Sequence, residues 1–327
     1  MARDAAGRRT DRLCLILCVT CCLNWTVAVR GEDKPADYSA RAEEQLKQLA
    51  VKVEARGSSA KKVRASAASE LPLDKLTQQQ RQIAEGVLKR QSLYRRLPTI
   101  SFETNADVYK FFTTHPDVAV SIWRAMEISE FQMWQTGKTT YEADAGDGSN
   151  GVIEVLYRDA ERQLVFCEGL YKTPLLPKPI KARTLVYLRT SFKRDKQGRT
   201  RATHRGDLFV SLPSQPVETA AKIISPVSNV IADRNFREIS LFVQMMSLAM
   251  TNRPGWVEHL ATRLEGVLAI RKAQLVELAE HVNKAERKRQ RSAGEDVSAR
   301  DASQSIQQAG GRTGGTAATL EPSDARR

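Results

Sequence analysis

"VIEVLYRDAERQLVFCEGLY", residues 152–171, holds two runs of alternating character joined by a polar stretch. In the first, Val152, Glu154 and Leu156 fall on one side and Ile153, Val155 and Tyr157 on the other. In the second, Leu164, Phe166, Glu168 and Leu170 oppose Val165, Cys167 and Tyr171. A period of two marks a strand, so the stretch predicts an antiparallel hairpin turning at Asp159–Arg162. Both sides are apolar enough to need cover, which calls for a sheet with a layer on each face.

Outward from the hairpin, further strands follow. Upstream lie "EFQMWQT" (130–136) and "TTYEADA" (139–145), the latter closed by the glycine-rich turn "GDGSNG" (146–151). Downstream, Pro174, Pro177 and Pro179 mark a rigid connection to "ARTLVYLRTSF" (182–192) and "TRATHRGDLFVSL" (200–212). Before all of these, "TISFET" (99–104) reads as a strand and Asn105 caps a helix with Val108, Phe111 and Phe112. Pro116 opens a second helix carrying Val118, Val120, Ile122, Trp123 and Met126. After Pro213 the period changes from two to about 3.6. Ser225-Pro226 begins a helix with Phe236, Phe242 and Met246, and Pro254 begins another that runs through Leu260 and Leu275 to Val282.

The succession is strand, two helices, about six antiparallel strands, long helix. It resembles the START-like, or helix-grip, superfamily over residues 98–252, on element order rather than on a signature motif. The resemblance implies an α+β fold in which a curved antiparallel sheet wraps around a long C-terminal helix, with added N- and C-terminal helices. It also implies that the space between sheet and helix holds an apolar or lipid-like small molecule. The wording "THPDVAVSIWRAMEIS" (114–129) resembles uncharacterised exported proteins of planctomycete-type bacteria, which implies no function.

Aromatic and polar side chains on these elements supply a candidate ligand wall: Trp123, Trp134, Tyr157, Tyr171, Tyr187, Phe242 and Met246. Glu168 and His204 add polar groups, with Arg183, Arg189 and His204 as candidate partners for Glu154 and Glu168. A buried carboxylate needs hydrogen bonds or a cation, or it protonates. Charged cross-strand pairing on a solvated face is the plain alternative. No G-x-S-x-G, H-E-x-x-H or P-loop occurs. His115-Pro116-Asp117 spells a co-chaperone tripeptide but lacks the basic helix upstream, so it reads as a helix junction. Asp144, Asp147 and Asn150 are not at EF-hand spacing and suit a tight hairpin. No catalytic residue, metal or cofactor is predicted. Two functions compete: a non-enzymatic carrier of an apolar or amphipathic molecule, and an envelope structural or adaptor protein with a dry core. A hydrolase- or cyclase-like use of Glu168 with His204 has no motif behind it.

The ends of the chain set the compartment. Arg3, Arg8, Arg9 and Arg12 precede the apolar run "LCLILCVTCCLNWTVAV" (13–29), which holds four of the five cysteines. A basic n-region, an apolar h-region and small residues near Ala28 and Gly31 predict a signal peptide over 1–31. An uncleaved N-terminal anchor is the rival, although 17 residues are short for a span. Either address is exported, periplasmic or secreted. Removing residues 1–31 takes away five basic and two acidic residues, leaving 46 against 36, or +10, and Cys167 as the sole cysteine. For an exported protein that charge points to anionic lipid or polysaccharide, with no nucleic acid expected. Residues 32–97 form a helical N-terminal extension, one helix running from Ser39 to Arg56 and another from Leu73 toward Tyr94. Residues 253–291 form a basic C-terminal helix whose Lys284, Arg287, Lys288, Arg289 and Arg291 offer a membrane-surface contact. The Gly-, Ser- and Ala-rich 292–327 read as a disordered tail.

Overall fold

The computed structural model describes residues 51–172, 179–195, 198–213 and 215–310. The 152–171 stretch forms the predicted hairpin: β6 (Asn150–Arg158) pairs antiparallel with β7 (Arg162–Tyr171). Asp159 makes the turn, its Oδ1 accepting from the backbone N–H groups of Glu161 (2.9 Å) and Arg162 (2.7 Å). A bulge between Val155 and Tyr157 lets Leu156 and Tyr157 reach the same apolar cluster. Gly151 and Gly169 face each other across the pair, and a Cβ on either would lie within 2.8 Å of the opposite strand's backbone. Only glycine permits that approach.

Among the described residues nine strands form one antiparallel sheet. Its order is β1 (Lys52–Ala55), β3 (Thr99–Glu103), β9 (Thr200–Ser211), β8 (Ile180–Arg194), β7, β6, β5 (Thr140–Asp144), β4 (Gln132–Gln135). The second half of β9 pairs with β2 (Gln91–Arg96) instead of β3. Gly206 sits at that change-over, where a Cβ would meet Leu97 Cδ1 at 2.9 Å.

Helices cover both faces, and the fold class is α+β. One face carries α3 (Ala106–Thr114), α4 (Pro116–Ala125), α5 (Gln215–Asn252), α6 (Pro254–Thr262) and α7 (Ala269–Gly310). They bury Phe102, Ile122, Trp123, Leu208, Phe242, Met246 and Leu275 in the larger core. The other face carries α1 (Lys61–Ser69) and α2 (Gln78–Lys89) over Leu164, Leu185, Tyr187 and Phe209. Alternation along β7, β8 and β9 sends successive side chains to the two cores in turn.

Several boundaries differ from the sequence expectation. Where the Ser39 helix was expected to run to Arg56, residues 52–55 are strand β1; Val53 pairs with Ile100 on the open side of β3, and residues 39–50 lie outside the described residues. The Leu73–Tyr94 helix is a 3₁₀ turn at Leu73–Lys75, then α2, then β2. Thr77 and Gln80 restart it with a capping box. Tyr94 belongs to a strand because pairing along β9 carries its hydroxyl to Asp207. Helix α1 was not anticipated, since its alanines and lysines give almost no apolar stripe. Helix α5 begins at Gln215 rather than Ser225, with Pro216 in its first turn and Pro226 inside. The single helix expected after Pro254 divides between α6 and α7, at a loop where Gly266 has φ +71°. Helix α7 runs on to Gly310, past the boundary that composition suggested at 292. The signal segment, Pro174, Pro177 and residues 311–327 lie outside the described residues.

Candidate functional site

The nine residues expected to line a ligand wall divide between the two faces. On the larger core's side, Phe242 of α5 is 2% exposed, its ring wedged edge-on against Trp123 (5.4 Å) and Phe112 (5.2 Å). Met246 is fully buried one turn along. His204 projects from β9 into the same core, stacked on Phe236 at 4.3 Å. On the opposite face, Tyr187 lies in the smaller core with the Arg189 guanidinium over its ring at 4.8 Å. Tyr157 donates to Asp159 Oδ2 at 2.7 Å. Trp134 shares that face by alternation, since Met133 takes the core side, and it sits opposite Glu142. Glu168 is there too, paired with Arg183 across the ladder (3.2 Å) and with Lys181 (2.5 Å). Burial opposes ionisation of Glu168, but the Lys181 and Arg183 contacts outweigh it and lower its pKa. That is charged cross-strand pairing rather than a pocket carboxylate. Because Glu168 and His204 occupy opposite faces, they cannot act on one substrate.

His204 is fully enclosed and its hydrogen bonds fix its tautomer. Ser240 Oγ donates to the Phe236 carbonyl (2.8 Å), so it accepts from His204 Nε2–H at 2.9 Å. Nδ1 then accepts from the Tyr109 hydroxyl (2.9 Å), whose oxygen lies 2.8 Å from Thr190 Oγ1. Burial pushes the imidazole down to about 3, so it is neutral near pH 7. This chain joins β8, α3, β9 and α5; with both ring nitrogens occupied and only 3% exposure, it has the character of a structural network.

A second polar cluster escaped the sequence reading. Asp207 is 0% exposed on β9's other face and accepts from the Tyr94 hydroxyl (2.6 Å) and Arg96 Nε (2.8 Å), with Arg189 as a third partner. Arg189 also meets Glu70, just past α1, and Arg205 reaches the same carboxylate at 3.2 Å. Burial and then the hydrogen bond to Asp207 push the Tyr94 phenol up; burial pushes Arg189 down against Asp207. The arrangement clamps α1 onto the sheet. The only signal in the sequence was an acid at an alternating position in "HRGDLFVSL". On the larger core's side, Asp117 and Arg271 form a buried pair at 2.5 Å, with Gln135 Oε1 also 2.5 Å from Arg271. Thus the Asp of the co-chaperone-like tripeptide anchors α7, and His115 is the junction between α3 and α4.

Near β5 and β6, Ala143, Ala145, Gly151 and Ile153 line a cleft with Phe131 and the half-buried Tyr171. Its volume is about 20 Å³, room for a water. Asp144 and Asp147 accept backbone N–H bonds from Gly146 and Ser149, both at 2.8 Å, as a hairpin turn requires. Among the described residues no cluster of three metal-ligating side chains occurs, and no helix is long and apolar enough to cross a membrane. Lys284, Arg287, Lys288, Arg289 and Arg291 of α7 face solvent; Lys284 pairs with Glu280 (3.3 Å) and Arg289 with Glu286 (2.8 Å).

No known family model matches the chain, and no curated protein matches it. Among solved structures, a conserved protein from Geobacillus kaustophilus is similar over 46% of this chain and 93% of its own, at 12% identity and a TM-score of 0.32. A likeness of that size carries no functional argument.

Proposed function

We propose that the chain is an exported, non-enzymatic helix-grip protein whose grip is filled by its own side chains, and that it acts as an envelope adaptor through its surface. Supporting the helix-grip reading, β3 lies beside the last strand β9, two helices separate it from the β4–β9 meander, and α5 follows on the core face. The observation that carries the adaptor reading is Phe242. Expected to line a ligand wall, its ring is instead packed into the larger core by the chain's own side chains, in edge-on contact with Trp123 and Phe112. Pockets for small molecules are mostly apolar and about 300–1,000 Å³.

One observation favours the carrier instead: the small-residue wall of Ala143, Ala145 and Gly151 beside Tyr171. Titration of the full chain with 1-anilinonaphthalene-8-sulfonate separates the two. The adaptor reading expects no saturable probe binding, and expects Phe242→Ala to cost about 3–5 kcal/mol of unfolding free energy, as for a ring removed from a dry core. Saturable one-to-one probe binding, with a small stability loss in the variant, would replace the adaptor by the carrier.

A further inference from the structure

We propose that the end of the sheet formed by the β8–β9 hairpin and helix α7 is a docking surface for an anionic lipid bilayer. This rests on the surface-acting reading above and names its partner. Three elements meet there. The hairpin brings Lys193, Arg194, Arg199 and Arg201, all exposed. Helix α7 brings Arg287, Lys288, Arg289 and Arg291, also exposed. One turn before them Asn283 donates to the Thr251 carbonyl at the end of α5 (2.6 Å), Ser247 of α5 accepts from the Asn105 N–H (2.8 Å), and the Thr104 N–H donates to the Thr200 carbonyl of the hairpin (3.0 Å), which brings this stretch of α7 to the hairpin's end of the sheet. Helix α3 adds Lys110, its ammonium 5.9 Å from the Phe192 ring of β8.

The acids at this end are already engaged. Glu103 and Asp195 pair with Arg199 (3.3 and 2.9 Å), Glu286 with Arg289 (2.8 Å), Glu54 with Lys52 (3.0 Å) and Asp107 with Lys110 (3.8 Å). Lys193, Arg194, Arg201, Arg287, Lys288 and Arg291 make no ion pair among the described residues. The surplus is therefore cationic and drawn from two elements remote in sequence. Cations held at a lipid surface each contribute about 1 kcal/mol of attraction to anionic headgroups. A bilayer is favoured over a soluble polyanion by where the chain enters the fold. Lys52 of β1 lies opposite Ser101, toward the Glu103–Arg201 end of the ladder. The chain enters β1 at this basic end, the end to which the apolar 13–29 run leads in the uncleaved-anchor alternative.

Co-sedimentation of the full chain with vesicles of phosphatidylcholine containing about a third phosphatidylglycerol tests the proposal. Binding is expected to these vesicles and not to pure phosphatidylcholine. It should vanish between about 0.1 and about 1 M salt, as the Debye length falls from about 10 to about 3 Å. Lys193→Glu/Arg194→Glu on the hairpin and Arg287→Glu/Lys288→Glu on α7 should each weaken partitioning about tenfold or more. Lys89→Glu/Arg90→Glu, at the far end of β9, changes the charge equally and should leave binding within about twofold; each variant's thermal transition reports its folding. Loss in the α7 variant alone would overturn the composite surface, as would equal loss in the Lys89/Arg90 control. Binding to dextran sulfate with none to the anionic vesicles would overturn the lipid assignment. Probe uptake by the core leaves all of these readings unchanged, so the failure of the adaptor reading is seen separately.

Discussion

Two hydrogen bonds hold His204 in one state, because Ser240 has already spent its proton on Phe236 and Tyr109 donates to the remaining ring nitrogen. Protonation would place a second N–H against the Tyr109 hydroxyl in a buried site. The folded-state pKa is near 3, below the unfolded value of about 6.5. Between those values the unfolded chain binds a proton that the native one refuses. Its contribution is therefore complete above about pH 6.5 and is lost as pH falls toward 3, at up to roughly 1.4 kcal/mol per pH unit. Urea unfolding from pH 7 to pH 4 should show that slope, and His204→Leu should be flatter over the same interval even if less stable at pH 7. Parallel pH profiles for the two proteins would remove His204 from the account. From sequence, His204 was legible only as a polar group on a strand. Its partners lie 36 and 95 positions away, on α5 and α3, and no local spacing announces them.

The strands were the most readable elements, since alternation survives whatever packs on them: β3 and β4 through β9 fall where the period put them. What failed were short segments whose conformation is chosen by a neighbour. β1 and β2 exist because β3 and β9 present open edges, and α1 is a helix with too thin a stripe to declare itself. Contacts far along the chain hold α1 instead. Ala67 and Leu71 seat it apolarly, and Glu70 bridges Arg189 and Arg205. Glu70 is partly exposed, so the ion pair is worth less than a buried one. Glu70→Gln is expected to cost about 1–2 kcal/mol, charge-assisted hydrogen bonds becoming neutral ones. Its mark should be local: amide exchange speeds up through Lys61–Ser69 while β8 and β9 keep their protection. Uniform loss of protection across the sheet would mean that α1 is no separable unit.

At the scale of the molecule, a single sheet separates two cores that share no side chain, and the question is whether they stand or fall together. The larger core is tied by the His204 chain and by Arg271, which links α7 to α4 and β4. The smaller is tied by Asp207 and Glu70. Every strand from β7 to β9 contributes to both, because successive residues face opposite ways. Loss of either layer would expose one side of the strands that the other still needs, so the structure predicts one cooperative transition. Phe242→Leu probes the first face at a cost of about 1–2 kcal/mol, and Asp207→Asn probes the second at about 1–3 kcal/mol. Phe242 and Asp207 lie on opposite faces and have no common partner, so the double variant should lose the sum within about 0.5 kcal/mol. Equilibrium urea curves followed by tryptophan fluorescence, in a Trp134→Phe background that removes the tryptophan on the smaller core's face, and by far-ultraviolet circular dichroism should coincide in all four proteins, since Trp123 lies in the larger core while dichroism sees the whole sheet and both helical layers. A first phase seen only by dichroism in Asp207→Asn would instead mean that α1 and α2 melt from the sheet on their own, leaving the larger core as the independently folded body.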